Sequence, residues 1–424
     1  MKPGRKKWMA AAAVLMFGLV AWAVIERVRG ASEPPQFVPF SDGTKARFGG
    51  VTWGTHQIPP FFAEQLTYHL PTVFSKFVQK KYGARLGLVP VGSSSDVPSL
   101  AVWMDLSRTP VSSMGTVTSL HAFLADENGL EAGLPYSYLG GYYPWQSATF
   151  AIVPRRSRML EVHFYPNGTS SPMVGSIRFR NPAYGRFPQW QPEPLPASKM
   201  AGDVQATLTS CTVGNRWQSR FTTSFGLDLR QPPGTNEHWV IHEIEASDAT
   251  GNRISNQYYG GGSECSVPTI FWPEEKAIRL KVWLKRTAGL AGHELITITN
   301  LPVPKANAIN GVILTNTVGG HKLLVWNLGK PAPSMGMMFS DGRPTGPYEI
   351  ALVLPDHPGD VIAEWMNVET DTGQDFKAYG SRSTAEGQSR SYDSMPTNAR
   401  YLNVTVSVQK MRTVEFLVKP PDAK

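Results

Sequence analysis

Leu160-Glu-Val162-His-Phe164, Leu280-Lys-Val282-Trp-Leu284 and Leu402-Asn-Val404-Thr-Val406 are three versions of one alternating pattern, set 120 and then 122 residues apart. An apolar residue at every second position turns one face of a strand to a core and the other to water. Three such strands at one period point to a repeated domain, and the landmarks around them agree. Upstream, Phe123-Leu-Ala-Asp126-Glu-Asn-Gly129, Glu245-Ala-Ser-Asp248-Ala-Thr-Gly251 and Val368-Glu-Thr-Asp371-Thr-Gly373 each follow an apolar run, with Asp-to-Asp spacings of 122 and 123. Between turn and strand each copy has an apolar residue before proline: Val153-Pro154, Trp272-Pro273 and Met395-Pro396. Downstream each closes with a second strand and a proline, Ile177-Arg-Phe179 to Pro182, Ile296-Thr-Ile298 to Pro302, and Val414-Glu-Phe416 to Pro420.

A period near ~120 residues is too long for a solenoid repeat and suits a complete sandwich of about seven strands. The composition agrees. Gly (39) and Pro (35) are abundant and only 17% of the 424 residues are charged, as in a turn-rich β protein. The expected fold is all-β: three tandem immunoglobulin-like antiparallel sandwiches over 38–182, 204–303 and 309–421. Residues 58–83 read as an insertion in the first copy. There Pro71 suits a first helical turn, Val73, Phe74, Phe77 and Val78 share a helical face, and Gly83 is a stop. Pro182, Pro188, Pro192, Pro194 and Pro196 make 183–203 an expected semi-rigid linker.

The N-terminus reads separately. Lys2, Arg5, Lys6 and Lys7 form a basic stub, residues 1–7, before an unbroken apolar run from Trp8 to Ile25. Eighteen residues at ~1.5 Å each approach the thickness of a bilayer core. Residues 8–26 are therefore an expected transmembrane signal anchor, with 27–37 as a linker. Ala21-Trp22-Ala23 keeps a cleavable signal peptide open as the other reading. On either reading the bulk of the chain is extracytoplasmic, because the basic end stays in the cytoplasm.

The net charge of +8 is not a nucleic-acid footprint. Lys2, Arg5, Lys6, Lys7, Arg27 and Arg29, against Glu26 alone, fall in the first thirty residues and leave +3 for the rest. Cys211 and Cys265, the only cysteines, are a disulfide candidate in an oxidising compartment, or two unpaired core residues.

Signatures of chemistry are sparse. No phosphate-binding glycine loop, nucleophile elbow or His-Glu-x-x-His helix is present. His238 and His242 lie in a strand-like run, where four residues span ~13 Å, too far for one metal ion. They are expected together on a solvated sheet face. The Asp126, Asp248 and Asp371 turns read as hairpin chemistry rather than calcium loops. Asp126, Glu161, Glu243 and Glu245 are carboxylates whose pairing depends on the fold. No catalytic residue, metal or cofactor is assigned. After each Asp turn comes a Tyr/Gly segment, with Tyr136, Tyr138, Tyr142, Tyr143 and Trp145 in the first copy, Tyr258 and Tyr259 in the second, and Tyr379 in the third. Flat rings with a polar edge beside permissive glycines suit sugar stacking or a protein partner, so those of the first two copies are the expected ligand-binding residues.

The stretches Asp42-Gly43-Thr44, Val51-Thr52-Trp53-Gly54-Thr55-His56 and Ser247-Asp248-Ala-Thr-Gly-Asn252 resemble segments of exported, membrane-anchored bacterial proteins with tandem β-sandwich domains, for which no activity is known. That resemblance brings no site residues. The expectation is a non-enzymatic cell-envelope protein, held to the membrane by its N-terminal helix. Its domains would bind a surface polysaccharide or an envelope protein, and not nucleic acid. One alternative is an exported glycan-directed hydrolase with its site in the first domain. The other is a structural spacer without ligand.

Overall fold

The computed structural model describes residues 37–39, 45–57, 93–105, 120–132, 145–166, 172–216, 219–257, 264–268, 271–272, 274–303, 311–327, 348–356, 359–375, 378, 380–384, 387–392 and 399–420. The expected anchor, the 58–83 insertion and the third-copy Met395-Pro396 lie outside them. No helix among the described residues is long and apolar enough to cross a membrane.

The described chain is all-β. First come β1 (Phe37–Pro39), β2 (Lys45–Gln57), β3 (Ser93–Asp105), β4 (Leu120–Ala125), β5 (Glu131–Ala132), β6 (Trp145–Phe150), β7 (Met159–Pro166) and β8 (Gly175–Arg180). Then follow β9 (Ala197–Ala201), β10 (Val204–Arg216), β11 (Ser219–Arg230), β12 (His238–Asp248), β13 (Arg253–Gln257), β14 (Glu264–Val267) and β15 (Ile278–Ala288). Last are β16 (Leu295–Pro302), β17 (Gly311–Val318), β18 (His321–Asn327), β19 (Tyr348–Val353), β20 (Val361–Thr370), β21 (Gly380–Thr384), β22 (Gly387–Tyr392), β23 (Tyr401–Lys410) and β24 (Arg412–Val418).

These strands form antiparallel sheets that pack in pairs. The first pair is β1-β2-β3-β6 against β5-β4-β7-β8. The second is β14-β11-β10-β9 against β13-β12-β15-β24, and the third is β16-β23-β20 against β17-β18-β19-β22-β21. Each pair closes on its own apolar cluster, and the alternating strands supply the middle of each. Leu160, Val162 and Phe164 sit in the first, Leu280, Val282 and Leu284 in the second, and Leu402, Val404 and Val406 in the third.

The closing strands depart from the sequence reading. In the first pair β7 turns back into β8, with Leu160 opposite Phe179 and Val162 opposite Ile177. The same hairpin is absent from the other two. β15 pairs with β24, setting Leu280 opposite Phe416 and Val282 opposite Val414. β23 pairs with β16, setting Val404 opposite Ile298 and Val406 opposite Ile296. The second and third pairs have exchanged their closing strands, so the expected spans 204–303 and 309–421 do not match sheet membership. The physical reason is the connection. Only Met411 separates β23 from β24, and a tight hairpin uses at least two loop residues. β24 therefore runs straight on into the neighbouring sheet, and β16 fills the place it leaves.

The 183–203 linker is also more structured than its prolines suggest. Its end forms β9, which pairs with β10. Upstream, the Glu193 amide donates to the Leu417 carbonyl at 2.7 Å, which lays the proline segment along β24. Arg156 holds the same segment through the Phe187 and Pro188 carbonyls, at 3.1 and 2.7 Å.

Candidate functional site

β15 buries Ile278, Leu280, Val282 and Leu284 and turns Arg279, Lys281, Trp283 and Lys285 outward. Its neighbours extend that outer face in rows. Arg279 lies between Ser247 of β12 and Leu417 of β24, Lys281 between Glu245 and Glu415, and Trp283 between Glu243 and Thr413. The proline segment then carries Trp190 onto the face. Its ring centre lies 5.3 Å from the Arg279 guanidinium carbon. A groove of about 310 Å³ results, lined by Trp190, Glu193, Lys199, Arg279, Glu415 and Leu417 among others.

Charge within the groove is largely paired. Lys199 Nζ lies 2.5 Å from Glu193 and donates to the Glu415 carbonyl at 2.7 Å. Lys281 is 4.0 Å from the Glu415 carboxylate, and its ammonium lies 4.7 Å from the Trp283 ring centre. Arg279 donates from Nε to Ser247 Oγ at 3.3 Å. Cations over indole faces and stems laid on apolar surface hold these chains in place while their polar ends stay accessible. Two half-buried tryptophans thus stand near the ends of a polar row, with Arg279 and Trp283 four strand residues, ~13 Å, apart. Sequence reasoning missed this surface. The Lys281-Val-Trp283 alternation was visible, but the arrival of Trp190 depends on where the proline segment lies.

A second cluster occupies the outer face of the first sheet pair. His163 Nδ1 lies 2.5 Å from Glu131 Oε1, and Tyr165 donates its hydroxyl to the same oxygen. His163 Nε2 is 3.6 Å from Glu161. Burial pulls the His163 pKa below its ordinary value, and Glu161 opposes that. Of the four carboxylates singled out, only Glu161 joins this cluster. Glu243 and Glu245 belong to the outer face of β12, and Asp126 caps its turn.

The Asp turns are confirmed as backbone capping in two copies. Asp126 accepts from the Asn128 and Leu130 amides at 2.9 and 2.8 Å, and Asp248 from the Thr250 and Asn252 amides at 2.9 and 3.1 Å. In the third, Thr370 Oγ takes the Gln374 amide at 3.1 Å, while Asp371 accepts from Arg400. Among the described residues no group of three His, Cys, Asp or Glu is placed to hold a metal ion.

The two histidines do not share a solvated face. A bulge between Ile241 and Glu243 shifts the register of β12, so His238 is exposed while His242 is buried. Among the described residues its Nδ1 has no hydrogen-bond partner. Burial lowers the His242 pKa to about 4, Lys285 adding to the shift and Glu364 opposing it.

Both cysteines are free thiols, so the disulfide is not formed. Each lies opposite Phe225, Cys211 on β10 and Cys265 on β14, with β11 between them. Two strand spacings are ~10 Å, beyond the Cα separation that a disulfide spans. Burial pushes both thiols up to about 12, which makes them inert. Tyr136, Tyr138, Tyr142, Tyr143, Tyr258 and Tyr259 lie outside the described residues. Trp145 opens β6 opposite Asp105. No family model, curated protein or solved structure matches the chain, so the groove and the His163 cluster stand on their geometry alone.

Proposed function

We propose that the protein is a non-enzymatic component of the cell envelope. Residues 8–26 hold it to the membrane, and three tandem immunoglobulin-like sandwiches present binding surfaces to an extracytoplasmic polymer. The observation that carries this reading is the outer face of β15, where Trp190 and Trp283 flank Arg279 and Lys281. Indole faces stack on the apolar faces of sugar rings, and the charged groups between them meet hydroxyls. The test is sedimentation of the full chain, in detergent, with insoluble cell-wall glycans. The protein should co-sediment, and the Trp190→Ala, Trp283→Ala double variant should stay in the supernatant with an unchanged melting temperature. A parent chain that remains soluble leaves a protein partner or a structural spacer as the better account.

A second reading, an exported glycan-directed hydrolase, draws on the first sheet pair. There two carboxylates, Glu131 and Glu161, lie against the two nitrogens of one imidazole, at 2.5 and 3.6 Å. A buried carboxylate on Nδ1 orients the ring so that Nε2 can move a proton. Release of soluble sugar from the same glycans, lost in His163→Asn, would favour that reading. Binding without release favours the first.

A further inference from the structure

The charges of the β15 groove do not close. Lys199 is answered by Glu193 at 2.5 Å, and Lys281 approaches Glu415 at 4.0 Å. Arg279 has no carboxylate partner among the described residues. Its Nε is held by Ser247 Oγ, a neutral acceptor, at 3.3 Å, and its guanidinium carbon is 5.3 Å from the ring centre of Trp190. The terminal nitrogens of a guanidinium form a planar fork that matches two oxygens of one anionic group. Here that fork lies within about one ring-width of an indole.

We propose that the groove recognises a carboxylated saccharide unit, its ring stacked on Trp190 and its carboxylate taken by Arg279. This deepens the polymer-binding reading and rests on it. The closeness of cation and indole selects an anion carried directly on the sugar ring. Glu193 and Glu415 fit the same ligand as acceptors for ring hydroxyls. The shared chemistry, a forked anionic oxygen pair, also occurs in phosphate polymers, so the experiment must separate the two.

Full chain in detergent is titrated with polygalacturonate, with a neutral β-glucan and with inorganic polyphosphate, at two salt concentrations. Polygalacturonate should bind at least about tenfold tighter than the glucan, and its affinity should fall as salt rises. Arg279→Gln should remove that advantage, weakening polygalacturonate far more than the glucan, which loses only a hydroxyl contact. Arg279→Lys, which keeps the charge but loses the fork, should restore only part of it. A matched melting temperature shows that each variant is folded. Equal binding of polygalacturonate and glucan, or an Arg279→Gln variant that binds polygalacturonate like the parent, overturns the proposal while leaving polymer binding intact. Polyphosphate binding tighter than polygalacturonate also overturns it, in favour of a phosphate polymer. If none of the three polymers binds and insoluble cell-wall glycans also fail, the polymer-binding reading falls with it.

Discussion

Between the first and second sheet pairs the chain crosses once, through the proline segment, and side chains make the contact. Asn252 of the second Asp turn donates to the Val153 carbonyl and accepts from the Val153 amide, at 2.8 and 3.0 Å. Arg155 is sandwiched between Trp53 and Phe187, 5.1 and 4.6 Å from their ring centres, and donates to the Thr250 carbonyl. Arg156 reaches Glu275 at 2.7 Å. Between the second and third pairs the chain crosses twice, from β15 to β16 and from β23 to β24, and each crossing delivers a strand to the other core. The Arg286 amide and carbonyl are both bonded by Gln409, at 2.8 and 3.0 Å, and Lys285 pairs with Glu364. The first junction can part without moving a strand, losing from the buried residues of the first core only Trp272, which the β14–β15 connection inserts there. The second cannot part without stripping a buried strand from each side.

The largest test of that contrast is Phe416→Ala. Phe416 belongs to β24 yet fills the second core, so its loss should cost about 3–5 kcal/mol in the second sheet pair. Hydrogen exchange should show β11 and β12 opening with it. If only third-pair amides lose protection, the strand exchange is wrong.

Acid should act on the same junction. The unfolded His242 takes a proton near 6.5, whereas the folded side chain refuses it until about 4. Stability is therefore complete above the higher value and falls as pH drops between the two, by up to about 3 kcal/mol. Denaturant melts of the parent and of His242→Phe at pH 7 and pH 4 check this. The contribution is the part of the acid loss that the variant abolishes, and a variant with the parent's full pH dependence refutes it.

At the first junction, Asn252→Ala leaves the buried Val153 amide and carbonyl without their partner, a cost of about 1–3 kcal/mol. Limited proteolysis should release the first sheet pair from the variant sooner than from the parent. Equal rates would mean that the aromatic clamp on Arg155 suffices. The smallest effect belongs to Lys410→Ala. Its bridge to Asp360, at 3.1 Å, is largely solvated, and its loss should change stability by less than about 1 kcal/mol.

The repeat, the Asp turns and the buried faces of β7, β15 and β23 were legible in sequence because each follows from a period of two or from a short-range hydrogen bond. Local rules failed at three places. Strand exchange failed to register because Ile296-Thr-Ile298 and Val414-Glu-Phe416 carry the same alternation, and either fits either core. His242 was misplaced because one bulge residue turns a side chain to the other face. The disulfide failed because sequence reports that two cysteines share a unit, not that β11 runs between them.

The sequence by itself determined the all-β character, the period and which residues face inward, since these depend on alternation and turn chemistry within a few positions. Which strand closes which core, and the meeting of Trp190 with Arg279, were decided only by the tertiary structure. Both depend on where a connection lets a distant segment lie. A single-residue link at Met411 and a proline segment bonded to Leu417 fix those positions, through contacts between residues far apart in the chain.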